Sequence, residues 1–236
     1  MSRLNLTVVN QDATTVPLAF EVRRMVNAGY VGRDQNAVRA HIEELAREGI
    51  APPPSIPMFF PVLCRNITTD QRIEVVESRT SGEAEFVLLL EEDRMYVGVG
   101  SDHTDRSLEA VSMLNSKQIC PNIVSREVWD FQEIKGHWDD LLLQSWVKPA
   151  SNAEPILYQK APLAKILSAT EILALVESKM TDGQCDGLVI FSGTIPVLTK
   201  EMICGTHFRC ELTDPHLKRK LTCCYDIVKL DYIADS

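Results

Sequence analysis

The chain has 236 residues, 45% of them apolar and 24% charged, which is long enough for one large or two small domains and excludes a disordered chain. Its 24 basic and 33 acidic residues give a net charge of −9, so neither nucleic acid nor a membrane surface is an expected partner. The longest apolar runs, such as residues 86–90, fall far short of the roughly 20 residues that a membrane-spanning helix needs. Residues 1–10 alternate like a strand rather than presenting a signal peptide, and the seven scattered cysteines read as reduced thiols, so a cytoplasmic location is expected.

In chain order, the alternation of Leu4, Leu6 and Val8 predicts a strand over residues 5–9. A helix is predicted over 35–48, capped by Asp34, with Val38, Ile42, Leu45 and Ala46 as its apolar stripe and Gly49 with the prolines at 52–54 as its stop. Strands follow over 58–63, 72–76, 83–90 and 95–99. Weaker helical patterns cover 105–114 and parts of 127–146, where Trp129, Trp138 and Trp146 supply large apolar surfaces for a core or an interface. The Pro-containing stretch 149–155 reads as a surface loop. A capping box, Ser168 with Glu171, opens a second helix through Ile172, Leu173 and Val176, and strands close the chain over 188–192, 207–212 and 222–230. Strands outnumber helices without regular alternation, which predicts a β-rich α+β fold in one domain spanning 1–236.

The most informative stretch is 81–102. Two strands flank the acidic turn Glu92-Asp93, and a two-residue loop sets Glu91 opposite Arg94, Glu85 opposite Gly100 and Glu83 opposite Asp102. Period-2 alternation puts Glu83 and Glu85 on one face, so three carboxylates meet at the open end of the hairpin. Either a hard divalent cation offsets their repulsion, or the strand end is solvated. Glu83 and Glu85 lead directly into an apolar strand, and Gly98 and Gly100 leave space close to the backbone, which favours the cation. His103 points to the opposite face and is not expected among the ligands. Cys204, Cys210, Cys223 and Cys224 lack the paired spacing of a structural zinc site.

These residues resemble the fumarylacetoacetate hydrolase superfamily. Glu83-Ala84-Glu85 is similar to its Glu-x-Glu metal pair, and residues 102–109 to its Asp-x-Ser-Ala-Arg-Asp-x-Gln segment, with Asp102 and Arg106 in register. Lys117, Gly193-Thr194, Gly32-Arg33, His41-x-x-Glu44 and Pro57-x-x-Phe60 fall in the family's order. The resemblance covers about residues 30–230 and marks a small, divergent branch: a family lysine is replaced at Pro61-Val62, and Glu109 stands where the family has glutamine.

The resemblance implies a mixed β-roll with peripheral helices and Mg²⁺ or Mn²⁺ held by Glu83, Glu85 and Asp102. It further implies a small acidic 2-oxo or 1,3-dioxo substrate, and homodimers. By this reading His41, oriented by Glu44, activates water, and Lys117 stabilises developing negative charge. Arg106, Glu109 and Thr194 would contact the substrate, although Arg106 suits pairing with a neighbouring acid equally well. C–C hydrolysis through a metal-stabilised enolate is the first expectation. Hydratase, decarboxylase or isomerase chemistry on the same site is the alternative, and a catalytically silent metabolite- or partner-binding domain is the rival from another class.

Overall fold

The computed structural model describes residues 2–47, 53, 55–199 and 201–233, without the side chains of residues 41 and 44–47. The chain opens with β1 (Ser2–Val9), β2 (Thr15–Val22), β3 (Arg24–Gly29), α1 (Gln35–Arg47) and β4 (Met58–Val62). Short strands β5 (Ile67–Thr68), β6 (Arg72–Val75) and β7 (Thr80–Ser81) lead to the long hairpin β8 (Ala84–Glu91) and β9 (Arg94–Asp102). Then come β10 (Thr104–Asp105), α2 (Arg106–Glu109), α3 (Met113–Ile119), β11 (Asn122–Val124), β12 (Glu127–Asp130) and α4 (Phe131–Ile134). The remaining elements are β13 (Leu142–Lys148), β14 (Ile156–Pro162), α5 (Ala169–Lys179), β15 (Leu188–Phe191), β16 (His207–Asp214) and β17 (Arg219–Lys229).

A mixed sheet runs β2-β1-β12-β9-β8-β15-β3-β4, with β11 also on β9 and β5 on β11, and a second sheet runs β14-β13-β16-β17-β6. The β8–β9 hairpin sits in the middle of the first sheet and packs against the second. Phe86, Leu88 and Leu90 enter one core with Phe208, Leu212 and Tyr225, and Phe86 meets Trp138 edge-on at 4.9 Å. The alternate residues Val87 and Leu89 enter another core with Phe20, Val22 and Phe191. A strand buried on both faces needs an uninterrupted apolar run, which is what residues 86–90 supply. Each such side chain stabilises the fold by roughly 1.5–3 kcal/mol on full burial.

The hairpin register is the one its turn demands: Glu91 pairs with Arg94, Glu85 with Gly100 and Ala84 with Ser101, and Glu92 takes a φ of 53° in the turn. Asp186 Oδ1 accepts the Glu92 N–H at 3.0 Å, so the segment just before β15 holds the turn. Asp34 caps α1, its Oδ1 accepting from the Asn36 and Ala37 N–H groups at 3.0 and 3.1 Å. Ser168 and Glu171 form the reciprocal capping box of α5.

The structure refines the weaker helical expectations. Within 127–146 the helical part is α4 and the 3-10 turn that follows it, while β12 and β13 flank them and β13 buries Leu143, Ser145 and Val147 by strand alternation. The weak helix over 105–114 is two short helices, α2 and α3, joined by a turn. β2, β3 and β14 were not anticipated. The 149–155 stretch is the loop of the β13–β14 hairpin. Trp129 and Trp138 are core residues, while Trp146 is half-buried beneath the Arg209 guanidinium. No helix among the described residues is long and apolar enough to cross a membrane.

Candidate metal centre

The register brings Glu83, Glu85 and Asp102 together at the open end of the hairpin, with one carboxylate oxygen of each within 4.8 Å of the others. The Asp102 N–H donates to the Glu83 carbonyl at 3.2 Å, which fixes this end of the ladder. Glu85 and Asp102 are buried and the Glu83 side chain is 20% exposed, so the triad opens to solvent on one side. Gly98 and Gly100 do not leave room for a ligand. A Cβ at Gly100 would stand 2.4 Å from the Ile123 carbonyl oxygen, and one at Gly98 would press on Val124 and Ser125, so the glycines admit the neighbouring strand β11 and the turn after it.

Cations from the helical segment answer the carboxylates. Asp105 caps α2 through the Ser107 and Leu108 N–H groups, and Ser112 caps α3. Arg106 donates Nε–H to Ser81 Oγ at 2.7 Å, pairs with Glu109 at 2.7 Å and stands 3.1 Å from Glu83. Lys117 is buried, with Nζ 2.6 Å from Asp102, 3.2 Å from Glu83 and donating to Thr104 Oγ1 at 3.1 Å. Arg106 therefore pairs with acids of its own chain, the second of the two roles open to it. Glu109 is its partner.

Burial works against ionisation of Glu83, but Arg106 and Lys117 beside it hold its carboxyl down at about 2. Glu85 behaves in the opposite way. Burial, together with the charges of Asp102 and Glu83, pushes it well above the usual carboxylate range, so without a cation its protonated form is favoured. Burial also raises Asp102, against the opposing pull of Lys117. Lys117 is raised by Asp102 and Glu83 despite burial, and it stays an ammonium ion.

Thr194 is engaged by the protein itself: its hydroxyl donates to the Ala84 carbonyl at 2.9 Å and accepts from Gln159 Nε2 at 2.7 Å. The preceding Gly193 matters directly, since its N–H donates to Glu85 Oε2 at 2.9 Å. Its φ of 81°, and the contact of 2.6 Å that a Cβ would make with Val31, require glycine there. His103 is indeed on the reverse face, buried, with Nδ1 2.9 Å from the Tyr225 hydroxyl and Nε2 2.9 Å from Thr80 Oγ1. The side chains of His41 and Glu44 lie outside the described residues. Arg33, from the Gly-Arg motif, pairs with Asp139 through two contacts of 2.8 Å. The described cysteines, including Cys204, Cys210, Cys223 and Cys224, are free thiols and join no metal-ligand cluster.

Among the described residues neither Asp102 oxygen makes a well-directed hydrogen bond, although Lys117 is in ion-pair contact, and the buried carboxamides of Asn27 and Asn122 likewise make none. Sequence reasoning missed both asparagines, which lie inside predominantly apolar strands. An all-oxygen donor set with unsatisfied atoms fits a hard divalent cation such as Mg²⁺ or Mn²⁺.

The fold is that of the fumarylacetoacetate hydrolase superfamily: strand-rich, with curled mixed sheets. 2-Keto-3-deoxy-D-arabinonate dehydratase complexed with magnesium and 2,5-dioxopentanoate superposes with a TM-score of 0.63 at 16% identity, over 89% of this chain and 74% of that one. The 5-carboxymethyl-2-hydroxymuconate delta-isomerase from Mycobacterium smegmatis gives 0.61 at 14% identity, over 92% and 84%. Fumarylacetoacetate hydrolase from psychrophilic Exiguobacterium antarcticum gives 0.55 at 15%, over 92% and 81%. No curated protein matches the sequence. Residues 28–225 match the family described as "Protein of unknown function (DUF2848)", and the chain belongs to that family.

Proposed function

We propose that the protein is a Mg²⁺- or Mn²⁺-dependent enzyme of small 2-oxo or 1,3-dioxo acids, and that its reaction is hydrolysis of a C–C bond. The observation that carries this reading is the triad Glu83, Glu85 and Asp102, whose oxygens converge although burial and mutual repulsion oppose the ionisation of Glu85 when no cation is bound. A bound divalent cation would supply Lewis-acid stabilisation of an enolate and a template for chelating substrate oxygens. Fold neighbours that include a dehydratase, an isomerase and a hydrolase support the class of chemistry.

The chain's own groups divide the remaining work. Lys117, fixed as an ammonium between Asp102 and Glu83, keeps positive charge beside the site and cannot serve as the base. Arg106 ties Glu83 to Glu109 and so braces the ligand carboxylate rather than clamping substrate. His103 is unavailable on the reverse face. Water activation is accordingly assigned to His41 with Glu44, which stand at i and i+3 on α1. Small acylpyruvates and 2-oxo-3-deoxy acids, incubated with the Mg²⁺-loaded enzyme and separated chromatographically, test the assignment. C–C cleavage products that depend on Mg²⁺ and on His41 support hydrolysis. Dehydrated or isomerised products that survive His41→Ala would replace it with hydratase or isomerase chemistry, and no turnover of either series would overturn the oxo-acid reading.

A further inference from the structure

Two strands besides the hairpin send a carboxamide to Asp102. Asn122 on β11 is the residue directly across the antiparallel ladder from Asp102, so the two side chains share one face of the sheet. Asn27 on β3, which lies on the β8 side of β9 in the sheet order, brings its side chain within reach of the same carboxylate. Both asparagines are fully buried, and neither the oxygen nor the nitrogen of either carboxamide makes a well-directed hydrogen bond among the described residues.

That combination is unusual. Asparagine is disfavoured in strand interiors, and Asn27 sits between Val26 and Ala28 while Asn122 leads into Ile123 and Val124. A buried polar group without a partner calls for an explanation, and here, among the described residues, two complete carboxamides lack well-directed hydrogen bonds beside a carboxylate whose own oxygens are also unsatisfied. Their chemistry is complementary to a hydrated cation: the nitrogens donate to carboxylate, and the oxygens accept from cation-bound water or from a substrate hydroxyl.

We infer that Asn27 and Asn122 are positioning residues of the triad site, orienting Asp102 and accepting hydrogen bonds from the water or substrate oxygens around a bound divalent cation. The inference rests on the metal-site reading above and extends it to two residues outside the Glu-x-Glu and Asp segments.

The test is calorimetric titration of Mn²⁺ into chelator-treated wild type, Asn27→Ala and Asn122→Ala, together with thermal melting of each protein without metal. Losing a residue that orients a metal ligand weakens affinity on the order of 10- to 100-fold. The expected result is at least tenfold weaker Mn²⁺ binding in each variant, with folded metal-free protein, and an altered Mn²⁺ paramagnetic resonance line shape. A purely structural role would lower the melting temperature and leave the affinity and the spectrum as in wild type, which overturns the inference alone. Absence of Mn²⁺ binding in wild type overturns both this inference and the metal-site reading. If an alanine variant fails to fold, Asn27→Ser or Asn122→Ser, which keeps a small polar group but withdraws the carboxamide, is read by the same criteria.

Discussion

His103 gives the most quantitative test of how the hairpin is built, because its ring is fully buried and both nitrogens are engaged, by Tyr225 and Thr80. Burial, with Arg106 nearby, pushes its pKa down to about 3. In the unfolded chain the ring titrates near 6.5. Above that value both states carry a neutral ring and the contribution to stability is constant. Below it the unfolded state binds a proton that the folded state refuses, so stability is lost as the pH falls from about 6.5 towards 3, by roughly 1.4 kcal/mol per unit. At pH 5 the loss is about 2 kcal/mol relative to pH 8. Glu85, whose folded pKa is raised, acts in the opposite direction over its own range, so the informative quantity is a difference between proteins. His103→Gln keeps a donor and an acceptor but cannot titrate. Urea denaturation in chelator at pH 8 and pH 5 is expected to show wild type losing about 2 kcal/mol more than the variant over this interval. Parallel losses in the two proteins would refute the argument and mean that His103 is protonated in the folded state.

The same electrostatics yields two further expectations. Because the Glu85 pKa is raised and a cation favours its ionised form, Mn²⁺ binding should release protons and tighten as the pH rises, measurable as a heat that varies with the ionisation enthalpy of the buffer. Glu85→Gln, which mimics the neutral acid, should melt no lower than wild type without metal yet lose the metal-dependent stabilisation. Lys117→Met removes the partner of two carboxylates, one of them buried, and should destabilise the metal-free protein by about 3–5 kcal/mol in urea denaturation, with Mg²⁺ restoring much of the loss.

The hairpin was legible in the sequence because a two-residue turn leaves one register, and that register alone brings Glu83 opposite Asp102 and Glu85 opposite Gly100. The caps of α1 and α5 were legible for the same local reason, since Asp34 and Ser168 bond groups two or three residues away. β13 was hidden because the large side chains of Trp138 and Trp146 resemble a helical stripe, and its inward residue Ser145 is polar, bonded to Gln159 at 2.8 Å. The space at Gly98 and Gly100 was misread because only the fold reveals that β11 and the turn after it fill it. Asn27 and Asn122 carried no signal at all: an asparagine in an apolar stretch reads as a turn, and its meaning depends on strands distant in sequence meeting at Asp102. The pairing of Arg106 with both Glu83 and Glu109 likewise depends on where α2 lies against the hairpin.

The most direct measurement for the metal centre is calorimetric titration of Mn²⁺ into chelator-treated wild type and Asp102→Ala, with the melting temperature followed in parallel. The account predicts one saturable site per chain in wild type, a melting temperature that rises with Mn²⁺, and loss of both in the variant. Saturable binding that survives unchanged in Asp102→Ala, or no binding in wild type, would contradict it.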